Sequence, residues 1–292
     1  MSLFTIKNVT KKFGNFTAVD DITMEIKAGE IFGFIGPNGA GKSTTIRMII
    51  GALYKSSGKM YLNGKDIDKN KHFIEHISYV PGDVNLWGNL TGMEIINFFM
   101  KERNFRDKNE RDRLIDAFKL DPNKKSKTYS KGNRQKVALI SAFLSNADLF
   151  IFDEPTTGLD PLMEQVFHNE LQQKKSQGKS ILLSSHILSE VEKLADRIAI
   201  IREGKIIESG KLSDLSHITR TKYLLRAEND LSFLTHSDFV HDYEEKDKYT
   251  ELYIDNDHIK DFIKLLENKN ITHLETEPAR LETIFMRYYE DK

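Results

Sequence analysis

The stretch Glu30-Ile31-Phe32-Gly33-Phe34-Ile35-Gly36-Pro37-Asn38-Gly39-Ala40-Gly41-Lys42-Ser43-Thr44 decides the fold. From Gly36 to Thr44 it satisfies, at every position, the phosphate-binding pattern of a glycine, four residues and then Gly-Lys-Ser/Thr. Residues 30–35 read as a short buried strand and Thr45 to Ile50 as the beginning of a helix. The glycines therefore fall at a strand-to-helix turn, the context the pattern requires. Such a turn directs backbone amides and a helix N-terminus at phosphate oxygens. The predicted triphosphate cradle is Gly36, Pro37, Asn38, Gly39, Ala40, Gly41, Lys42, Ser43 and Thr44. Within it Lys42 reaches the β- and γ-phosphates, and Ser43 offers its hydroxyl to Mg²⁺.

Far downstream, Asp148-Leu149-Phe150-Ile151-Phe152 reads as an apolar strand running straight into Asp153-Glu154. Carboxylates are seldom buried unless paired or bound to metal, so two adjacent acids at a strand tip point to chemistry. Asp153 is placed to hold the Mg²⁺ shell, and Glu154 to orient or deprotonate an attacking water. Standing alone, the pair would equally begin a solvated loop; the phosphate loop favours the chemical reading.

Between these motifs lies Tyr129-Ser130-Lys131-Gly132-Asn133, followed by Arg134-Gln135-Lys136-Val137-Ala138-Leu139. A serine hydroxyl, a glycine amide and a helix start make a second anion cradle. The neighbouring Lys124, Lys125, Lys127, Lys131, Arg134 and Lys136 would, in isolation, suggest a nucleic-acid patch. The order of motifs instead resembles the nucleotide-binding subunit of an ATP-binding cassette transporter of the bacterial drug and peptide exporter type. In that family a signature written LSGGQ covers the ATP held by the opposite subunit. This copy keeps Ser130 and Gly132 and departs at the other three positions.

The resemblance covers residues 3 to about 210 and assigns further roles. Phe13 resembles the aromatic that stacks on adenine; read without the family it could be a core phenylalanine. Asp160, in Pro155-Thr156-Thr157-Gly158-Leu159-Asp160, matches the aspartate that contacts the partner subunit, and unaided reads as the cap of a turn. His186, after an apolar strand, matches the residue that contacts the γ-phosphate and links it to Glu154. The implied fold is α/β: a P-loop NTPase core with a largely parallel sheet, an antiparallel β region near residues 3 to 30, and a helical arm near 84 to 145. The implied partners are ATP with Mg²⁺, a second cassette subunit, identical or related, and integral membrane subunits; no nucleic acid is expected.

One position breaks the pattern. Where the family carries a glutamine after Pro81, this chain has Gly82, followed by Asp83. Asp83 could supply a substitute oxygen, or the metal could keep another water. Downstream, Leu86, Trp87, Leu90 and Met93 to Met100 form an apolar and aromatic cluster, half of it expected as core. The remainder, with the only tryptophan of the chain, is expected as a groove for a partner's helix. Gly82 and the weakened signature motivate an alternative, an ATP-dependent switch that hydrolyses slowly, against which Glu154 and His186 argue. A soluble cassette ATPase acting on nucleic acid or ribosomes normally carries a second cassette or a coiled-coil insertion, and neither is legible here.

Composition fits these expectations. The 292 residues are 39% hydrophobic and 30% charged, enough for a substantial core. No apolar run approaches the roughly 18 to 20 residues that span a bilayer, and the N-terminus lacks a signal peptide's apolar centre. The expected location is the cytoplasm, peripheral on the inner face of the membrane. Zero cysteines exclude disulfides and thiolate metal sites, and the nine histidines show no zinc spacing. Residues 211–292 carry 12 Lys and Arg against 18 Asp and Glu, net −6, whereas the preceding part is net +5. That asymmetry predicts a boundary near 210 and a small C-terminal α/β module. Its expected strands are Lys222 to Arg226 and Thr250 to Ile254, and its expected helices His258 to Leu266 and Arg280 to Tyr289. The closing segment Glu277 to Tyr289 resembles the ending of bacterial drug and peptide exporter ATPases.

Overall fold

The computed structural model describes residues 2–70, 72–211, 220–246, 249–267 and 269–277. These fall into two compact units that divide between Ser209 and Gly210. The predicted helix over Arg280 to Tyr289, and all of the exporter-like ending but Glu277, lie outside the described residues.

In the first unit an antiparallel sheet opens the chain. Strands β1 (Ser2–Phe13) and β2 (Phe16–Lys27) form a hairpin, and β3 (Ile31–Ile35) then enters a second sheet. After α1 (Lys42–Ile49), β4 (Ser57–Leu62) and β5 (Lys65–Asp66) return to the first sheet, whose order is β2-β1-β4-β5. The antiparallel region is thus larger than the predicted residues 3 to 30. The addition comes from a tight hairpin in which Asn63 and Gly64 both have positive φ, the geometry that matches strand twist.

The second sheet has six strands in the order β10-β9-β3-β8-β7-β6, formed by β6 (Ile77–Val80), β7 (Leu149–Asp153), β8 (Ser180–Ser185), β9 (Arg197–Arg202) and β10 (Lys205–Lys211) around β3. The five from β9 to β6 run parallel. Every residue of β3, β7 and β8 is buried, which is why Ile31–Ile35, Leu149–Phe152 and Ile181–Leu183 read as continuous runs without polar alternation. Phe32, Phe34, Ile46, Ile49, Ile151 and Leu182 form one core with the β1–β2 hairpin. Because β3 and β7 lie on either side of β8, their C-terminal ends bring the phosphate loop and the acid pair to the same edge of the sheet.

The helical arm consists of α2 (Gly92–Glu102), α3 (Lys108–Ala117) and α4 (Lys131–Phe143). Thr91 and Glu94 close a capping box on α2, Asp107 caps α3 and Ser130 caps α4. The arm is joined to α5 (Pro161–Ser176) by Arg113 of α3, whose guanidinium forks onto both oxygens of Glu170 at 2.8 Å. Helix α6 (Leu188–Leu194) follows β8. Among the described residues, no helix is long and apolar enough to cross a membrane.

The second unit is a four-stranded antiparallel sheet, ordered β12-β13-β11-β14, from β11 (Arg220–Ala227), β12 (Val240–Lys246), β13 (Tyr249–Asp255) and β14 (Ile271–Glu277). Helix α7 (Ile259–Leu265) packs Phe262 against Tyr223, Leu225, Leu252 and Ile254. Two strands and one helix coincide with the expected segments; β12 and β14 were not expected. Both are edge strands in which polar and charged residues outnumber apolar ones and none is buried, so they lack the alternation that marks a half-buried strand.

Candidate active site

The phosphate loop leaves β3 at Gly36 and enters α1 directly at Lys42, three residues earlier than the sequence suggested. Gly41 caps that helix with φ 108°, and a side chain there would also press on the Ala18 carbonyl 2.8 Å away. Lys42 is buried, and its ammonium donates to the carbonyls of Gly36 at 2.5 Å and Pro37 at 3.1 Å. It also lies 3.8 Å from Glu154 Oε1. Burial pulls the ammonium below its usual pKa of 10.5, while the Glu154 and Asp153 carboxylates pull it back up.

Asp153 ends β7 and is only 5% exposed; the Ser184 hydroxyl on the adjacent strand donates to its Oδ1 at 2.8 Å. Burial, reinforced by this carboxylate, pushes the nearby Tyr79 phenol up to about 12. Directly afterwards the chain turns. Glu154 adopts φ 51°, uncommon for a residue with a side chain, and its amide donates to the Ser184 carbonyl at 2.9 Å. The turn places the Glu154 carboxylate between Lys42 on one side and His186 on the other, with His186 Nδ1 3.0 Å from Oε2. Lysine, glutamate and histidine from three separate segments thus form one polar row.

Ser130 accepts from the Asn133 amide at 3.2 Å and caps α4, whose first residues include Gly132. Gly132 packs against the carbonyl of Gly158, leaving no room for a Cβ. Asp160 caps α5 by accepting from the Met163 amide at 3.0 Å, a helix start where the residues alone suggest the cap of a turn. Phe13, on the β1–β2 hairpin, is 49% exposed with the Lys11 ammonium 4.7 Å from its ring centroid, so it is not a core residue. Gly82 also sits close to the acid pair: a Cβ there would meet the Asp153 carbonyl oxygen at 3.1 Å. Asp83 is exposed and accepts from Asn85 at 3.5 Å.

Sequence reasoning missed several groups that shape this site. Buried Gln135 donates to the Pro155 carbonyl at 2.9 Å, tying α4 to the loop behind the acid pair. Ser184, Ser185, Thr156 and Glu190 are likewise buried and hydrogen-bonded around it. Only Gln135 carried a local signal, a polar residue within the apolar stripe of α4. Trp87 is 50% exposed and makes ring contacts with Phe98 at 5.3 Å and Phe99 at 6.0 Å between centroids. Beside it is a cleft of about 150 Å³ bounded by Tyr79, Pro81, Val84, Leu86 and Phe99. Ile95, Ile96 and Met100 are buried core, so the cluster does divide.

A parallel sheet with a glycine-rich phosphate loop and a carboxylate pair at its C-terminal edge defines a P-loop ATPase. The ABC transporter family profile matches residues 19–157. The chain is 32% identical over 292 residues to the ABC transporter ATP-binding protein YhaQ of Bacillus subtilis, covering 97% of each chain. It is 36% identical to the bacitracin transport ATP-binding protein BcrA of Bacillus licheniformis, covering 81% of this chain and 80% of that one. Among solved structures, the dimeric post-hydrolysis state of the ATP-binding cassette MJ0796, bound to ADP and Pi, matches with a TM-score of 0.65. Identity there is 25%, and the match covers 72% of this chain and 99% of that one. This chain belongs to the ABC transporter ATP-binding proteins, and it is an ATP hydrolase of that family.

Proposed function

We propose that the chain drives export, hydrolysing ATP as one of two cassette subunits that act on separately encoded membrane subunits. The observation that carries this reading is the Glu154 carboxylate held between Lys42 and His186. Lys42 and the loop amides bind the β- and γ-phosphates, and Phe13 stacks on the adenine. Glu154 takes a proton from the water that attacks the γ-phosphorus in line, while the bond to the ADP oxygen breaks. His186 steadies both Glu154 and the γ-phosphate. Ser130 and Gly132 of one subunit, with Asp160, complete the site of the other.

The residues present suit a hard dication: Asp153 is a buried carboxylate with one oxygen on Ser184, and Ser43 presents a hydroxyl at the start of α1. Mg²⁺ bound there would neutralise charge on the phosphates. Residues 1–210 would form the ATP-binding domain and 211–292 an accessory domain. The aromatic surface at Trp87, together with Asp83, would receive the membrane subunit, since Gly82 brings no side chain to that task. On this reading the protein works at the cytoplasmic face of the membrane. Export is favoured by the likeness to BcrA, whose name assigns it bacitracin transport. Solubilised native membranes provide the test. The chain should co-purify with an integral membrane protein whose vesicles move substrate only with hydrolysable ATP; recovery of the chain alone would overturn the reading.

A further inference from the structure

Glu190, in the first turn of α6, is 7% exposed and bonded both to the end of β8 and to the loop that follows β7. Its Oε2 accepts from the Ser185 hydroxyl at 3.0 Å and from the Thr156 hydroxyl at 3.3 Å. Ser185 immediately precedes His186, and its Oγ in turn accepts from the Ile187 amide at 3.0 Å, closing a turn with His186 at the apex. Thr156 lies two residues beyond Glu154, in the segment that leads to Asp160. The other oxygen, Oε1, faces His168 Nε2 of α5 at 3.7 Å; both atoms are buried without a hydrogen-bond partner.

The ladder between β7 and β8 ends at the pair Asp153 and Ser184, and the last backbone bond runs from the Glu154 amide to Ser184. Beyond that point Glu154 and His186 stand on separate loops, and a slip of the loops would move one group relative to the other. Carboxylates are seldom buried unless paired or hydrogen-bonded, and the hydrogen bonds that hold this one run to Thr156 and Ser185, on the segments that carry Glu154 and His186. We infer that Glu190 is a positioning residue. It holds the Thr156 loop and the Ser185 turn in one register and thereby sets the distance between Glu154 and His186. The consequence for turnover rests on the hydrolytic roles proposed above, whereas the tether between the loops does not.

The test combines amide hydrogen exchange of the nucleotide-free full chain with ATP affinity and turnover. In Glu190→Ala, amides of residues 154–160 and 186–188 should exchange at least about 5-fold faster, the scale of one net hydrogen bond. The phosphate loop, residues 36–44, should exchange as in wild type. The kcat should fall on the order of 10- to 100-fold, the scale of a misplacement near ~1 Å, with ATP Kd changed less than about 2-fold. Glu190→Gln, whose amide oxygen still accepts from Ser185 and Thr156, should restore both the exchange and most of the kcat. Thr156→Val, a milder change, should loosen residues 154–160 alone. Unchanged exchange in both loops overturns the inference. So does loosening that extends equally to the phosphate loop, or loosening with wild-type kcat. If the loops loosen as described but wild type shows no hydrolysis, the tether stands and the hydrolytic reading is what fails.

Discussion

Gly132→Ala is the sharpest perturbation of the contact between the α4 start and the loop behind the acid pair. A Cβ on Gly132 would lie closer than 3.0 Å to the carbonyl oxygen of Gly158, and that obstacle is backbone rather than a flexible side chain. Ordinary contact begins near 3.4 Å, so at least about 0.4 Å of separation must be gained by moving α4 or the loop. Forcing an extra methyl group into packed structure costs about 1–3 kcal/mol. For a unit of this size that is a fall in Tm of about 2–12 °C. The same shift displaces Ser130 and Gly132 from the position proposed to complete the partner's site. Turnover should therefore fall about 10-fold or more, while ATP binding to the isolated subunit through Lys42 stays near wild type. Scanning calorimetry and steady-state hydrolysis at saturating ATP read the two effects. A variant that melts within about 1 °C of wild type, with unchanged kcat, would refute the packing argument.

Two further outcomes are expected. The buried Lys42 ammonium has a lowered pKa, so it sheds its proton before the usual 10.5; ATP affinity should weaken as pH rises through that lowered value, and Lys42→Arg should remove the alkaline limb. Titration of Kd from pH 7 upward checks this, and an affinity flat to pH 10.5 would contradict it. Trp87→Ala should weaken assembly with the membrane subunit by about 2 kcal/mol, roughly 30-fold in Kd, with the isolated subunit's ATPase unchanged. Equal recovery of wild type and variant in co-purification would move the docking surface elsewhere.

The phosphate loop and the Asp153-Glu154 pair were legible because each is a run of adjacent residues whose chemistry is tied to one geometry. Phe13 was not decided by its neighbours in sequence, and only its exposure on the hairpin shows that it is not part of the core. The β4–β5 hairpin carries a local signal in Asn63-Gly64, but β5 is only two residues long and offers no periodicity to go with it. Glu190 was beyond reach for a different reason. Its bond to Thr156 spans 34 residues and joins side chains that, one at a time, resemble ordinary polar residues of a helix and a loop. In the second unit, strands with buried faces were visible, whereas β12 and β14 are ladder partners recruited by backbone pairing to residues with little apolar content.

The central claim is that Glu154 is the base of an ATP hydrolysis that opens a closed cassette dimer. Light scattering of Glu154→Gln with MgATP, beside its rate of phosphate release, tests this most directly. The account predicts a stable ATP-bound dimer with hydrolysis reduced by a factor of 100 or more, on the order expected for loss of a general base. A variant that stays monomeric with bound ATP, or releases phosphate at the wild-type rate, would contradict it.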